Sequence, residues 1–192
     1  MPNADMIRFA PDGMLYIAPA GGSLTLPTDV GDGSTPPAGY KAVGYVTEDG
    51  VTITPTIQTT PLSAWQSAVP VLYHVDSATF QIQATLLEAS KLVTENFFGA
   101  SWVAVNDEEG SQTGQYRLDL SSVPELNELS LVVDWSYKGN LWRAVIGRAM
   151  VSERGAITLQ RTQAQTFQLT FDAMDLGGSL GYILTNEDMS GS

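Results

Sequence analysis

GYVTEDGV (residues 44–51) and ATFQIQATLLEASKLVTENFFG (residues 78–99) enclose the part of the sequence that decides the fold. In the second segment, apolar residues alternate strictly with Thr and Gln from Ala78 to Leu86. Successive side chains of a strand point to opposite faces, so one face is predicted to lie on a core and the other toward water or a partner. The residues that follow predict a short amphipathic helix over 87–98, ended by Gly99.

The remaining periodic segments also favour strands. Asp49-Gly50 predicts a hairpin, because this pair is common in tight turns between two strands. Strict alternation predicts further strands over 51–58, 129–137 and 167–173. A single short helix needs a sheet to pack against. The predicted fold is therefore mainly β: an antiparallel β-sandwich or barrel with one flanking α-helix.

The domain organisation follows from length and composition. A chain of 192 residues with a hydrophobic fraction of 43% predicts a single domain over residues 1–192. Residues 1–13 are predicted to form an N-terminal arm, and residues 19–41 a long loop rich in Gly and Pro. Residues 186–192 are predicted to be a flexible C-terminal tail.

The charge excludes one large class of partners. The chain has 21 acidic and 9 basic residues, a formal net charge of −12, and no two basic residues are adjacent. Proteins that grip nucleic acid present a basic patch, so this chain is expected to repel DNA. It contains no cysteine, which fits synthesis in a reducing compartment. No apolar run approaches the roughly 20 residues that cross a bilayer, so no membrane association is predicted.

No motif predicts catalysis, a metal or a cofactor. The chain has one histidine, His74, and no Gly-x-Ser-x-Gly nucleophile elbow. Residues 29–33 (DVGDG) look like part of a calcium loop but lack its later carboxylate. The glycine-rich residues 177–181 lack the lysine of a phosphate-binding loop. We therefore predict no enzyme, no metal site and no cofactor.

Three features, in this order, resemble the major tail (tail tube) proteins of long-tailed bacteriophages, of the siphovirus type that infects actinobacteria. They are the strand–turn–strand of residues 44–51, the triplet Ala64-Trp65-Gln66, and the strand 78–86 that passes directly into the helix. The resemblance implies a β-sandwich or barrel with a flanking helix, shared with the tube protein of type VI secretion systems. It covers about residues 12–184, with no added immunoglobulin-like domain expected.

The resemblance also implies a structural role in the virion. Subunits of this family form hexameric rings that stack into a tail tube, through which genomic DNA is ejected into the host. The expected partners are other copies of the chain and the tape-measure, tail terminator and distal tail proteins. DNA is expected to pass through the lumen without specific binding. Assembly is expected in the host cytoplasm, with the phage tail as the final location.

Under this hypothesis the Thr/Gln faces of the strands suit the lumen, because they contain no Lys or Arg that would bind phosphates. The same pattern is typical of ordinary exposed strand positions, and that reading stays open. Residues 21–41, 55–77 and 106–115 are predicted loops that could reach the next ring. The predicted lumen-facing residues are Thr79, Gln81, Gln83, Thr85, Thr166, Gln168, Thr170 and Asp172.

Two other classes of protein compete with this interpretation. The first is a monomeric β-sandwich binding module for a carbohydrate or a receptor, on a virion or a cell surface. It would display aromatic side chains in a groove, and the chain has four tryptophans. An enzyme such as a glycan hydrolase ranks third. It stays an alternative because the spacing of two carboxylates in the fold is not visible in the sequence.

Overall fold

The computed structural model describes residues 7–123 and 126–189. In these residues the chain forms ten strands and one helix. Their order is β1 (Asp12–Pro19), β2 (Lys41–Ala42), β3 (Val46–Leu62), β4 (Leu72–Leu86), α1 (Lys91–Phe98), β5 (Trp102–Asn106), β6 (Gln112–Leu118), β7 (Leu129–Tyr137), β8 (Asn140–Arg154), β9 (Phe167–Ala173) and β10 (Tyr182–Thr185). The predicted class, mainly antiparallel β with one helix, is confirmed.

The main sheet has the order β2-β1-β7-β8-β9-β4-β3, and every pair in it is antiparallel. The 15-residue strand β8 takes part in both layers of the fold. Its first part pairs with β10 and its last part pairs with β9. The sheet therefore folds over at β8, and β1 and β7 lie across the core from β4 and β9. Strands β5 and β6 form a separate hairpin.

The core lies between the two layers and is closed by α1. Phe97 of the helix packs edge-on against Phe167 of β9, with ring centroids 5.3 Å apart. Both layers contribute fully buried aliphatic side chains, each of which stabilises the fold by about 1.5–3 kcal/mol. The main buried residues are Leu15, Ile17, Ile82, Leu86, Val93, Leu131, Ile146, Leu169 and Phe171.

Helix α1 begins at Lys91, four residues later than predicted. Ser90 is its N-cap, and its hydroxyl oxygen accepts a hydrogen bond from the backbone N–H of Val93 at 3.3 Å. A capping side chain satisfies a backbone donor that the first helical turn leaves free, which fixes the start of the helix. The predicted end is confirmed: Gly99 has φ 63°, and its N–H donates to the carbonyl of Glu95 at 2.9 Å.

The predicted hairpin at Asp49-Gly50 is wrong. Both residues lie inside β3, where residues 47–50 bulge opposite Thr85 alone, between the pairs Val46–Leu86 and Val51–Ala84. A bulge uses the positive φ of Gly50 (70°) without reversing the chain. The reversal comes instead at residues 63–71. The predicted loop 55–77 is therefore mostly strand.

The polar face of β7 is buried, although alternation predicted that it faces water or a partner. Ser130, Val132 and Asp134 are all at most 4% exposed. Residues 20–40 fold back over this face, and the hydroxyl groups of Tyr40 and Ser130 are hydrogen-bonded to each other at 2.7 Å. Burial raises the pKa of Tyr40. Periodicity reports which side chains share a face, and it does not report whether a loop covers that face.

The two ends of the described chain meet. Arg8 forms an ion pair with Glu187, and Phe9 packs against Tyr137. The side chain of Asn186 accepts a hydrogen bond from the backbone N–H of Leu141 at 2.7 Å. Residues 1–6 of the predicted N-terminal arm and 190–192 of the predicted tail lie outside the described residues. No helix of the described chain is long and apolar enough to span a membrane.

Candidate functional site

A long, exposed element of the described chain is the outer part of the β3–β4 hairpin, residues 55–79, which we call the arm. Its strands, residues 55–62 and 72–79, pair with each other, and all their residues are exposed. Eight residues at about 3.3 Å each make it about 26 Å long. No other element of the described chain covers either of its faces.

One face of the arm is apolar. The pair Ile53–Ile82 lies on the core face of the sandwich, and the next pairs on the same face are Pro55–Phe80 and Ile57–Ala78. The apolar face that packs on the core of the sandwich therefore continues along the arm, beyond the part of the fold that covers it. Ile57 is 68% exposed, and the tip residue Trp65 is 99% exposed. Contiguous exposed apolar side chains of this kind mark interaction surfaces.

The opposite face is polar, and it brings the predicted lumen-facing residues together. Strands β4 and β9 are neighbours, so the two Thr/Gln patterns lie side by side on one face of one sheet. The cross-strand pairs are Gln81–Asp172, Gln83–Thr170 and Thr85–Gln168, with Thr79 further along β4 and Thr166 one residue before β9.

Two of the predicted residues are less accessible than alternation suggested. Thr170 is only 6% exposed, and its hydroxyl oxygen accepts a weak hydrogen bond from Gln83 Nε2 at 3.4 Å. Asp172 is half-buried. The remaining Thr and Gln side chains are half-buried or exposed, so the face stays open to a neighbour or to solvent.

The polar face contains no cation. Strands β3, β4 and β9 contain no Lys or Arg, and the sequence has none between Lys41 and Lys91. Carboxylates on these strands include Asp172 and Asp76. Affinity for nucleic acid depends on cations that neutralise phosphates, and these three strands offer no Lys or Arg for that contact.

The predicted loop 21–41 is fixed to its own subunit. Arg143 of β8 forms two hydrogen bonds of 2.7 Å with the carboxylate of Asp134, opposite it on β7. The same guanidinium donates to the backbone carbonyl of Asp29 at 3.0 Å. The hydrogen bond with Asp134 raises the pKa of Arg143, so the cation is permanent. Because Asp29 is held to β8 in this way, a smaller part of the loop is free to extend toward another subunit.

The calcium-like motif at residues 29–33 forms turns. The carboxylate of Asp32 accepts hydrogen bonds from the backbone N–H groups of Ser34 and Thr35, which hold the pKa of Asp32 well below its usual range. Asp29 likewise accepts from Gly31. Among residues 7–123 and 126–189, no group of three or more His, Cys, Asp or Glu side chains is placed to hold a metal ion.

The β5–β6 hairpin is a second exposed element and contains the predicted loop 106–115. Its turn is closed by the carboxylate of Asp107, which accepts from the N–H groups of Glu109 and Ser111. Its base is tied to α1, because the Trp102 indole N–H donates to Thr94 Oγ1 at 2.9 Å. This hydrogen bond attaches the hairpin to the side of the fold that carries α1.

An apolar cleft of about 350 Å³ lies at the root of the arm. It is lined by Phe80 of β4, by Val145 of β8, by Ile183 of β10 and by Leu180 just before β10. The cleft marks the open edge between the two layers, where β10 is a short edge strand. It adds to the apolar surface that the arm exposes.

Sequence reasoning missed two features of these surfaces. The predicted loop 55–77 contains the apolar residues Tyr73 and Val75, whereas in the structure they lie in strand β4 and are 63% and 55% exposed. The ion pair of Asp134 and Arg143 gave no local signal, because the partners are joined only by strand pairing. The available signal for the arm was the near absence of charge from Val51 to Leu87.

A sequence-family model described as "Phage tail tube protein" matches residues 1–191. No curated protein matches the chain at a significant level. The family match spans nearly the whole chain and agrees with the resemblance carried by residues 44–99, so the predicted identification as a phage major tail protein is confirmed. The chain belongs to the phage tail tube protein family.

Proposed function

We propose that this protein is the structural subunit of a tail tube made of stacked hexameric rings, and that genomic DNA passes through the lumen during ejection. Family membership supports self-assembly into a tube. The observation that carries the proposal furthest is the arm, which leaves one apolar and one cation-free polar face uncovered in the single subunit. In a single subunit the apolar face of the arm stays in water, whereas contacts between subunits of a polymer can bury it.

Ring closure would use the free edge of the main sheet. Strand β3 is the last strand at one end, and within the described chain it pairs only with β4. Its 17 residues leave a long row of unpaired backbone groups, which is a liability in a monomer and a template for strand addition by a neighbour. Six copies joined in this way would close a barrel around the tube axis.

The lumen would be the polar face of β3, β4 and β9. Its candidate residues are Thr79, Gln81, Gln83, Thr85, Thr166, Gln168, Thr170 and Asp172. Hydroxyl and amide groups keep such a surface hydrated, and the absence of cations avoids binding to phosphates. DNA would therefore slide through without specific contacts.

Ring stacking is a head-to-tail contact, which joins two different surfaces and does not close. The arm, with its exposed tip residue Trp65, is the element we assign to this contact. The tube would meet the tape-measure protein inside and the tail terminator and distal tail proteins at its ends. We place the protein in the tail of a siphovirus, assembled in the host cytoplasm, with a structural and not an enzymatic role.

Negative-stain electron microscopy of the purified protein tests this proposal. Samples are imaged over a range of protein concentrations, alone and after addition of the distal tail complex of the same phage as an initiator. We expect six-fold rings or tubes. Particles that stay monomeric in both series would contradict the proposal. A monomer that instead bound a glycan or receptor through Trp65 would favour the binding-module alternative.

A further inference from the structure

Between the cross-strand pairs Pro55–Phe80 and Leu62–Leu72, strand β4 has one residue more than β3. Gln58 lies opposite Ser77, but the next residue of β3, Thr59, lies opposite Val75. Asp76 is therefore an extra residue in β4, and it forms a one-residue β-bulge. The Thr60 hydroxyl donates to the Asp76 carboxylate at 2.6 Å, which ties the bulge to the partner strand.

The bulge decides which face Tyr73 and Val75 occupy. In an unbroken strand, alternation from Ala78 would put Asp76 on the apolar face and Val75 on the polar face. Because the bulge sets two consecutive residues opposite one, Val75 instead keeps the phase of Ala78. The pairs Thr59–Val75 and Pro61–Tyr73 then continue the apolar face of the core.

We propose that the one-residue bulge at Asp76 is a positioning device for assembly: it keeps the outer arm in phase with the core, so that a single apolar face meets a second copy of this chain. This inference rests on the proposed function and adds the bulge that sets the face. The polar Thr/Gln face is kept continuous by the same device.

Charge argues for a second copy as the occupant. Asp76 is the only charged residue between Val51 and Leu87, in a protein with a formal net charge of −12. Two copies with the same net charge repel one another, and they meet at least cost where the surface carries almost no charge. A nucleic acid or a strongly charged protein would find no complementary cluster on the arm.

Insertion of one glycine between Gln58 and Thr59 tests the proposal. The inserted glycine lies opposite Asp76, so the two strands pair without a bulge. Every side chain of the arm beyond this point then changes to the other face of the hairpin. Tyr73 and Val75 then move to the polar face. We expect loss of tubes under conditions in which the wild-type protein assembles. The thermal unfolding midpoint should not change, because the arm lies outside the core.

The matched control combines the same insertion with deletion of Asp76. The extra residue then lies in β3 instead of β4, and Tyr73 and Val75 return to the apolar face. We expect tubes to form again. Tubes from the insertion alone, or no recovery in the double variant, would overturn this inference and leave the proposed function standing. Failure of the wild-type protein to form rings or tubes would overturn both.

Discussion

At the scale of single residues, the ion pair of Asp134 and Arg143 fixes the relation between loop and sheet. Both side chains are buried, and the Arg143 guanidinium also donates to the backbone carbonyl of Asp29 in the covering loop, residues 20–40. A buried pair adds little net stability, but loss of one partner leaves an uncompensated charge in the interior. The pair therefore favours this one packing of the loop over β7 and β8, because another placement would leave a buried charge without its partners.

We predict that Asp134→Ala lowers the free energy of unfolding by about 3–5 kcal/mol, since Arg143 then lacks its carboxylate. Urea denaturation followed by circular dichroism measures this difference. Glu128→Ala is the matched control, because it removes an exposed pair with Arg148. That variant should unfold like the wild-type protein. Equal destabilisation by the two substitutions would show that burial of the pair is unimportant.

At the scale of elements, the arm is the part of the fold that we propose contributes to assembly without contributing to the stability of the core. Its strands are held by their own ladder, and its side chains do not enter the core cluster. Changes at its tip should therefore affect contacts between subunits without unfolding the body. The opposite holds for α1, whose Val93 and Phe97 close the core.

We predict that replacement of residues 63–71 by Asn-Gly blocks ring stacking. A two-residue turn suits the pair Leu62–Leu72 and removes Trp65 from the tip. Sedimentation velocity should show monomers or single rings, with an unchanged thermal midpoint. Replacement of residues 107–111 by Asn-Gly shortens the β5–β6 turn as a control and should leave tubes intact. Full-length tubes from the first variant would refute the assignment of the arm.

At the scale of the whole molecule, the charge distribution should decide how DNA moves through the tube. The net charge of −12 and the absence of cations from β3, β4 and β9 keep phosphates from binding. A single added cation per subunit would be repeated around every ring and along every stack. Small changes on this face should therefore have large effects on transport and small effects on assembly.

We predict that the double substitution Gln81→Arg and Gln83→Arg leaves tubes intact but lowers infectivity by at least about tenfold, because repeated phosphate contacts add up along the DNA. Plaque titre and dye-detected DNA release measure the effect. Gln81→Asn with Gln83→Asn keeps the polarity and should behave like wild type. Unchanged titre in the arginine variant would place this face outside the lumen.

Where a strand runs without a bulge, the sequence by itself determined which side chains share a face. From Ala78 to Leu86 and from Phe167 to Ala173, alternation predicted an apolar and a polar face, and both strands have those bounds or longer ones. It also located the helix end at Gly99, because an αL cap is a local property. The family resemblance came from the same local segments, and the family match confirms it.

Only the tertiary structure decided what covers each face. Strand pairing set β4 beside β9 and so merged two Thr/Gln patterns into one surface. The polar face of β7 is buried because residues 20–40 fold over it. The apolar face of the arm is exposed because its strands extend past the rest of the sandwich. The bulge at Asp76 depends on the register of two strands. Periodicity is a local property of the chain, whereas burial and register arise from contacts between distant segments.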